Sequence, residues 1–172
     1  MAYLQPRKQV RLKAFDYCEA RFYHVVVCVG GGHAILSKIE LEKKSVGAGH
    51  LGSPKIKYTS LGEIIEKNIR YTNENLKDRK IVEWVIMPNH IHLIIKIVHP
   101  DEIGSPGWST PTSLPKVVSA LKSFIHKEAT YKFFQRNYYE RIIRNEKELN
   151  ETRQYIQNNP VNWLTDFYFI SK

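Results

Sequence analysis

Residues 84–97 read Trp84-Val85-Ile86-Met87-Pro88-Asn89-His90-Ile91-His92-Leu93-Ile94-Ile95-Lys96-Ile97. Two runs rich in β-branched residues flank a proline, which cannot donate to a ladder, so the stretch predicts two strands joined by a hairpin or a sharp bend. Strand side chains alternate between faces. His90 and His92 therefore leave one face, while Ile91, Leu93 and Ile95 leave the other, which belongs in a core. Two neighbouring imidazoles can share one divalent ion. The plainer alternative is a pair of hydrogen-bonded histidines on a half-buried strand. Ile94 occupies the third alternating position, which excludes a three-histidine row, and no cysteine or further histidine stands close by for structural zinc. A labile Mg²⁺ or Mn²⁺ that carries a substrate phosphate suits the pair better.

Upstream, Phe22-Tyr23-His24-Val25-Val26-Val27-Cys28-Val29 reads as a buried strand, ended by Gly30-Gly31-Gly32. No GKS or GKT follows the glycines, so they form a turn and not a phosphate loop. Ser45 to Pro54 is glycine-rich and reads as a loop. A capping box from Ser60 to Glu63 opens a helix expected over about Ser60–Tyr71. Downstream, Asp101–Pro115 holds three prolines and two glycines and reads as a loop. A helix begins near Ser113 or Leu114, marked by Val117, Val118, Leu121, Phe124 and Ile125. After a short extended piece, Asn145 caps a last helix that Pro160 stops. The order β, α, β, β, α, extended, α predicts one α+β domain over 1–172, a ferredoxin-like sandwich with helices on an antiparallel sheet.

The 172 residues carry 26 Lys+Arg against 17 Asp+Glu, a net charge of +9. Such a cation surplus points to a polyanionic partner, most often nucleic acid. Two cysteines, Cys18 and Cys28, are too few for a disulfide scaffold and suit a reducing cytoplasm. No apolar run is long enough to span a membrane. Between Lys116 and Arg136 there are five cations and one acid, Glu128. Lys116, Lys122, Lys127 and Arg136, with the basic arm of residues 1–13, are therefore candidate phosphate contacts; each is equally an ordinary solvated side chain.

Met87-Pro88-Asn89 followed by His90-Ile91-His92 resembles the HUH motif (histidine, hydrophobic, histidine) of single-tyrosine transposases. Gln135 to Glu146, then Tyr155-Ile156-Gln157-Asn158-Asn159-Pro160-Val161, is similar to the REP-associated tyrosine transposases, which act on single-stranded DNA. The resemblance runs from about Arg11 to Trp163. It implies an HUH endonuclease fold and a divalent cofactor, Mg²⁺ or Mn²⁺, on His90 and His92. It implies further that Tyr155 is the nucleophile, leaving a 5′-phosphotyrosine and a free 3′-hydroxyl, and that Asn159 is a third ligand. Tyr155 and Asn159 stand four apart and share a helix face, although Asn158 and Asn159 also stand where a C-cap falls before Pro160. The chain departs from the family at Phe134, often tryptophan, and at Arg141, often histidine; Arg141 stays useful for phosphate.

The expected function is therefore a metal-dependent single-stranded DNA endonuclease and strand transferase on hairpin or palindromic repeat DNA. A catalytically silent nucleic-acid-binding module of the same fold is the alternative. A small-molecule metal hydrolase on the same histidines is a third reading, which the +9 charge disfavours. Relatives include dimers and monomers, so a homodimer stays open, and no membrane partner is expected.

Overall fold

The structure is a computed structural model and describes residues 21–41, 54–98 and 112–163. The basic arm, Cys18, most of the glycine-rich loop and residues 101–111 of the proline-rich loop lie outside the described residues. The elements are β1 (Phe22–Cys28), β2 (Ser37–Leu41), β3 (Pro54–Tyr58), α1 (Ser60–Asn75), β4 (Arg79–Ile86), β5 (His90–Ile97), α2 (Leu114–Ala129), β6 (Tyr139–Ile143) and α3 (Glu146–Asn158).

Four strands form one sheet in the order β4-β5-β1-β6, with every neighbouring pair antiparallel. Taken along the chain as β1, α1, β4, β5, α2, β6, this is the expected ferredoxin-like α+β sandwich. A separate hairpin, β2 with β3, is inserted between β1 and α1. The sequence reading misses this hairpin. Ser37-Lys38-Ile39-Glu40-Leu41 and Pro54-Lys55-Ile56-Lys57-Tyr58 are short, charged strands, and the residues joining them hide the pairing signal.

The alternation of β5 divides the interior in two. Ile91, Leu93 and Ile95, with Tyr23, Val25 and Val27 of β1, pack against Ile65 and Ile69 of α1 and Val117, Val118, Leu121 and Ile125 of α2. On the other face a smaller core gathers Val85, Met87, Ile94 and Ile143 beneath Leu149 and Ile156 of α3, with Trp163 and the hairpin's Ile39 and Ile56 at its margin. Thus α1 and α2 cover one face, and α3 crosses the other.

The helix ends follow local chemistry. The Asn145 side chain accepts from the Glu148 backbone N–H at 2.8 Å, as its position predicts. The first helix is capped one residue earlier than the Ser60 box. Thr59 is the N-cap, accepting from the Gly62 N–H at 3.3 Å, and its hydroxyl donates to the carbonyls of Ile35 and Leu36. Those carbonyls reach Thr59 only through the tertiary fold, so sequence alone favoured the wrong hydroxyl. The helix also runs on to Asn75, past the expected Tyr71.

Gly62 is where α1 crosses the segment before β2. A Cβ there would stand 2.3 Å from the Leu36 carbonyl oxygen and 3.0 Å from the Tyr58 Cβ. Alanine is the better helix former by about 1 kcal/mol. Overpacking against backbone typically costs about 1–3 kcal/mol, so the clash wins. Gly62→Ala should lower the urea midpoint at unchanged m-value; an equal or higher midpoint would contradict this crossing.

Candidate functional site

Three imidazoles meet on the face of the sheet that α3 crosses. The β1–β5 register sets Cys28 opposite His90, Val26 opposite His92 and His24 opposite Ile94. His24, Val26 and Cys28 alternate with the buried Val25 and Val27, so His24 shares the face of His90 and His92. His90 is 0 % and His92 1 % exposed. Their Nε2 atoms lie 2.9 Å apart, with the rings nearly perpendicular. His24 stacks on His92, its Nε2 3.1 Å from His92 Nδ1. The Nδ1 of His90 is 2.7 Å from the Asn89 side-chain oxygen.

Helix α3 places Tyr155 and Asn159 above this cluster. The Tyr155 ring stands edge-on to His92 with centroids 5.5 Å apart, and 6.0 Å from His24, while half of the residue stays exposed. Asn159 is buried, and its amide nitrogen donates to the Tyr155 carbonyl at 2.8 Å. The Asn159 side-chain oxygen, which only accepts, is left free of that bond. The buried indole of Trp163 closes the side next to His90, centroids 6.1 Å apart.

Burial dominates the electrostatics. It holds His92 down to about 2, with His90 and His24 adding to the depression and the Asn159 hydrogen bond opposing it. His24 is held at about 4, first by burial and then by the Arg141 guanidinium on the facing residue of β6. Both rings are therefore neutral near pH 7, the form that offers a lone pair to a metal.

The fit to a divalent ion can be tested on the separation itself. Two nitrogens each about 2.1 Å from one ion and at right angles to each other are about 3.0 Å apart. The observed 2.9 Å between the Nε2 atoms meets that. Among the described residues no group of three or more His, Cys, Asp or Glu is arranged to hold a metal. A complete coordination shell would therefore draw on amide, water or substrate oxygens.

The remaining predicted contacts are dispersed. Arg141 borders the cluster, exposed on β6. Lys116, Lys122 and Lys127 belong to α2, which packs on the opposite face of the sheet from the histidines. Lys116 and Lys127 are exposed there, and Arg136 is exposed in the segment before β6. The Lys122 ammonium donates to the carbonyls of Gln135 (2.5 Å) and Arg136 (3.1 Å), so it ties α2 to that segment. The one-sided charge of α2 thus does not face the imidazoles. Sequence reasoning missed His24. Its signal was present in the alternation of β1, but only the register against β5 sets it beside His92.

No family model matches the chain. An uncharacterised protein of Haemophilus influenzae is 28% identical over 180 aligned positions, covering 95% of this chain and 93% of that protein. Among solved structures, a REP-associated tyrosine transposase bound to a REP hairpin superposes with a TM-score of 0.60 at 16% identity, over 89% of this chain and 74% of that one. The chain therefore has the fold of that transposase. Among the described residues no helix is long and apolar enough to cross a membrane.

The depressed histidines make stability depend on pH with a definite sign. The unfolded chain protonates them near pH 6.5 and the folded chain only at much lower pH, so acid favours unfolding. Their contribution should be whole above about pH 6.5 and should be lost as pH falls, down to about 4 for His24 and about 2 for His92. Each ring adds a slope of up to about 1.4 kcal/mol per pH unit. Denaturant midpoints from pH 7.5 to 5 should fall, and His24→Gln should flatten part of that slope. A slope unchanged in His24→Gln would contradict the neutral assignment of His24.

Proposed function

We propose that the chain is a single-tyrosine transposase of the REP-associated kind, a divalent-metal-dependent enzyme that cuts and rejoins single-stranded DNA carrying a hairpin. The observation that carries the reading is the phenol of Tyr155 standing 5.5 Å, ring to ring, from buried His92, whose Nε2 lies 2.9 Å from that of buried His90. The shared fold, the hairpin bound by the transposase of that fold, and the +9 charge support it further.

In this reading His90 and His92 hold Mg²⁺ or Mn²⁺, with the Asn159 side-chain oxygen as the third protein ligand. The bound ion supplies charge neutralisation at the scissile phosphate. Every other part is done by the chain. The Tyr155 phenol oxygen attacks phosphorus, forming a phosphotyrosine on the 5′ side, and the bond from phosphorus to the 3′ oxygen breaks. The phenol proton leaves to solvent, which the exposed half of the residue reaches, and the departing 3′ oxygen takes up a proton to become a hydroxyl. Covalent storage keeps the bond energy for reversal onto another 3′-hydroxyl. Arg141, beside His24, sits where a phosphate entering over β6 would pass, and its planar guanidinium suits two phosphate oxygens.

The test is incubation of the protein with single-stranded hairpin DNA and Mn²⁺, followed by a denaturing gel. A covalent adduct is expected from wild type. It should vanish to background in Tyr155→Phe, in His90→Ala and with chelator present. Salt-sensitive DNA binding without an adduct from wild type would establish the silent binding module instead.

A further inference from the structure

The protons on the two ring nitrogens facing away from the metal position decide how His90 and His92 present themselves. Asn89 is 4 % exposed, and its amide nitrogen donates to the Gly32 carbonyl at 3.2 Å. That bond settles which way the amide lies, leaving its oxygen against His90 Nδ1. An amide oxygen only accepts, so His90 carries its proton on Nδ1 and turns a lone pair outward at Nε2. The Gly30–Gly32 turn provides this anchor. Gly31 and Gly32 have φ of 73° and 71°, a region side-chain-bearing residues rarely adopt, and they aim the Gly32 carbonyl at Asn89.

His92 is in a different position. Its Nδ1 faces His24 Nε2 at 3.1 Å, and either ring can donate. Its Nε2 faces the His90 lone pair at 2.9 Å. Two lone pairs cannot share that gap without a positive centre between them. Without an ion, the centre is a proton on His92 Nε2, and His24 Nε2–H then donates to His92 Nδ1. With an ion held by both Nε2 atoms, His92 would carry its proton on Nδ1 and donate to the bare Nε2 of His24.

We infer that Asn89 and His24 are the positioning residues of the site: Asn89 locks His90 in the metal-binding tautomer, and His24 is the reversible partner that lets His92 change tautomer when a divalent ion enters. The inference deepens the proposed function and rests on its metal. Protons balance in the change. On His92 and on His24 one proton leaves Nε2 for water and one arrives at Nδ1, and no ring changes charge.

Outer partners of metal-bound histidine typically contribute about 10–100-fold in metal affinity. The experiment has two arms on the whole chain, both without DNA. Calorimetry with Mn²⁺ should show about 10–100-fold weaker binding for Asn89→Leu and for His24→Phe, and near wild-type binding for Asn89→Asp, which keeps the acceptor. Histidine ¹⁵N NMR of wild type should show His90 with its proton on Nδ1 throughout, and His92 moving from the Nε2–H to the Nδ1–H form when diamagnetic Zn²⁺ is added. The NMR arm needs no variant, so a substitution that unfolds the chain does not blunt the test. His90 bearing an Nε2 proton in the ion-free protein overturns the inference. So does wild-type Mn²⁺ affinity in folded Asn89→Leu and His24→Phe. A wild type that binds neither ion, yet holds His90 as Nδ1–H, overturns the metal reading of the proposed function and the His24 half of the inference, and leaves the role of Asn89 standing.

Discussion

The register of β5 against β1 is the constraint on which the site depends. Strand side chains alternate with a period of two, so a slip of one residue would carry a strand's whole set to the other face. The core makes such a slip costly. Ile91, Leu93 and Ile95 are at most 1 % exposed, and a slip would bring His90, His92 and Ile94 into their place against α1 and α2. Burying an apolar side chain of that size is worth about 1.5–3 kcal/mol, and an unpaired polar group in an apolar core costs about 1–3 kcal/mol more. Packing on one face thus fixes imidazole geometry on the other, and the same pairing sets His24 beside His92.

The hydrogen bonds between His24, His92 and His90 pair base with base. His24, His92, His90 and Asn89 form a chain of close polar contacts, 3.1, 2.9 and 2.7 Å long. In a buried, low-dielectric setting each such bond is strengthened, and each unmade one is costly. Burial keeps His24 and His92 neutral, with Arg141 pushing His24 the same way.

How much of this was legible in the sequence follows from how local each signal is. The His90/His92 face, the Asn145 cap and the order of the main elements rest on alternation, helical spacing and cap chemistry, all contained in a few residues. Tyr155 and Asn159 were legible as partners on one helix face for the same reason. Their approach to the histidines was implied only through family resemblance. His24, the Thr59 cap and the β2–β3 hairpin rest on contacts between distant residues, 68 positions apart for His24 and His92. The one-sided charge of α2 was real as composition, yet the apolar face of that helix directs it to the side of the sheet away from the imidazoles.

The two faces of the sheet are not equally held, and that difference bears on how a strand of DNA could be exchanged. Helix α2 buries Leu114, Val117, Val118, Leu121 and Ile125 in the larger core, α1 adds Ile65 and Ile69, and the two helices meet, with Glu128 of α2 reaching Lys67 and Asn68 of α1. Helix α3 buries only Leu149 and Ile156. At about 1.5–3 kcal/mol for each buried side chain, the apolar anchorage of α3 is a small fraction of that holding the opposite face. Elements that move in function are drawn from such weakly anchored parts. The structure thus sets buried histidines on a central strand pair beneath a tyrosine on a lightly anchored helix. That division suits the proposed transesterification, in which the attached strand would be carried away while the sheet stays as it is.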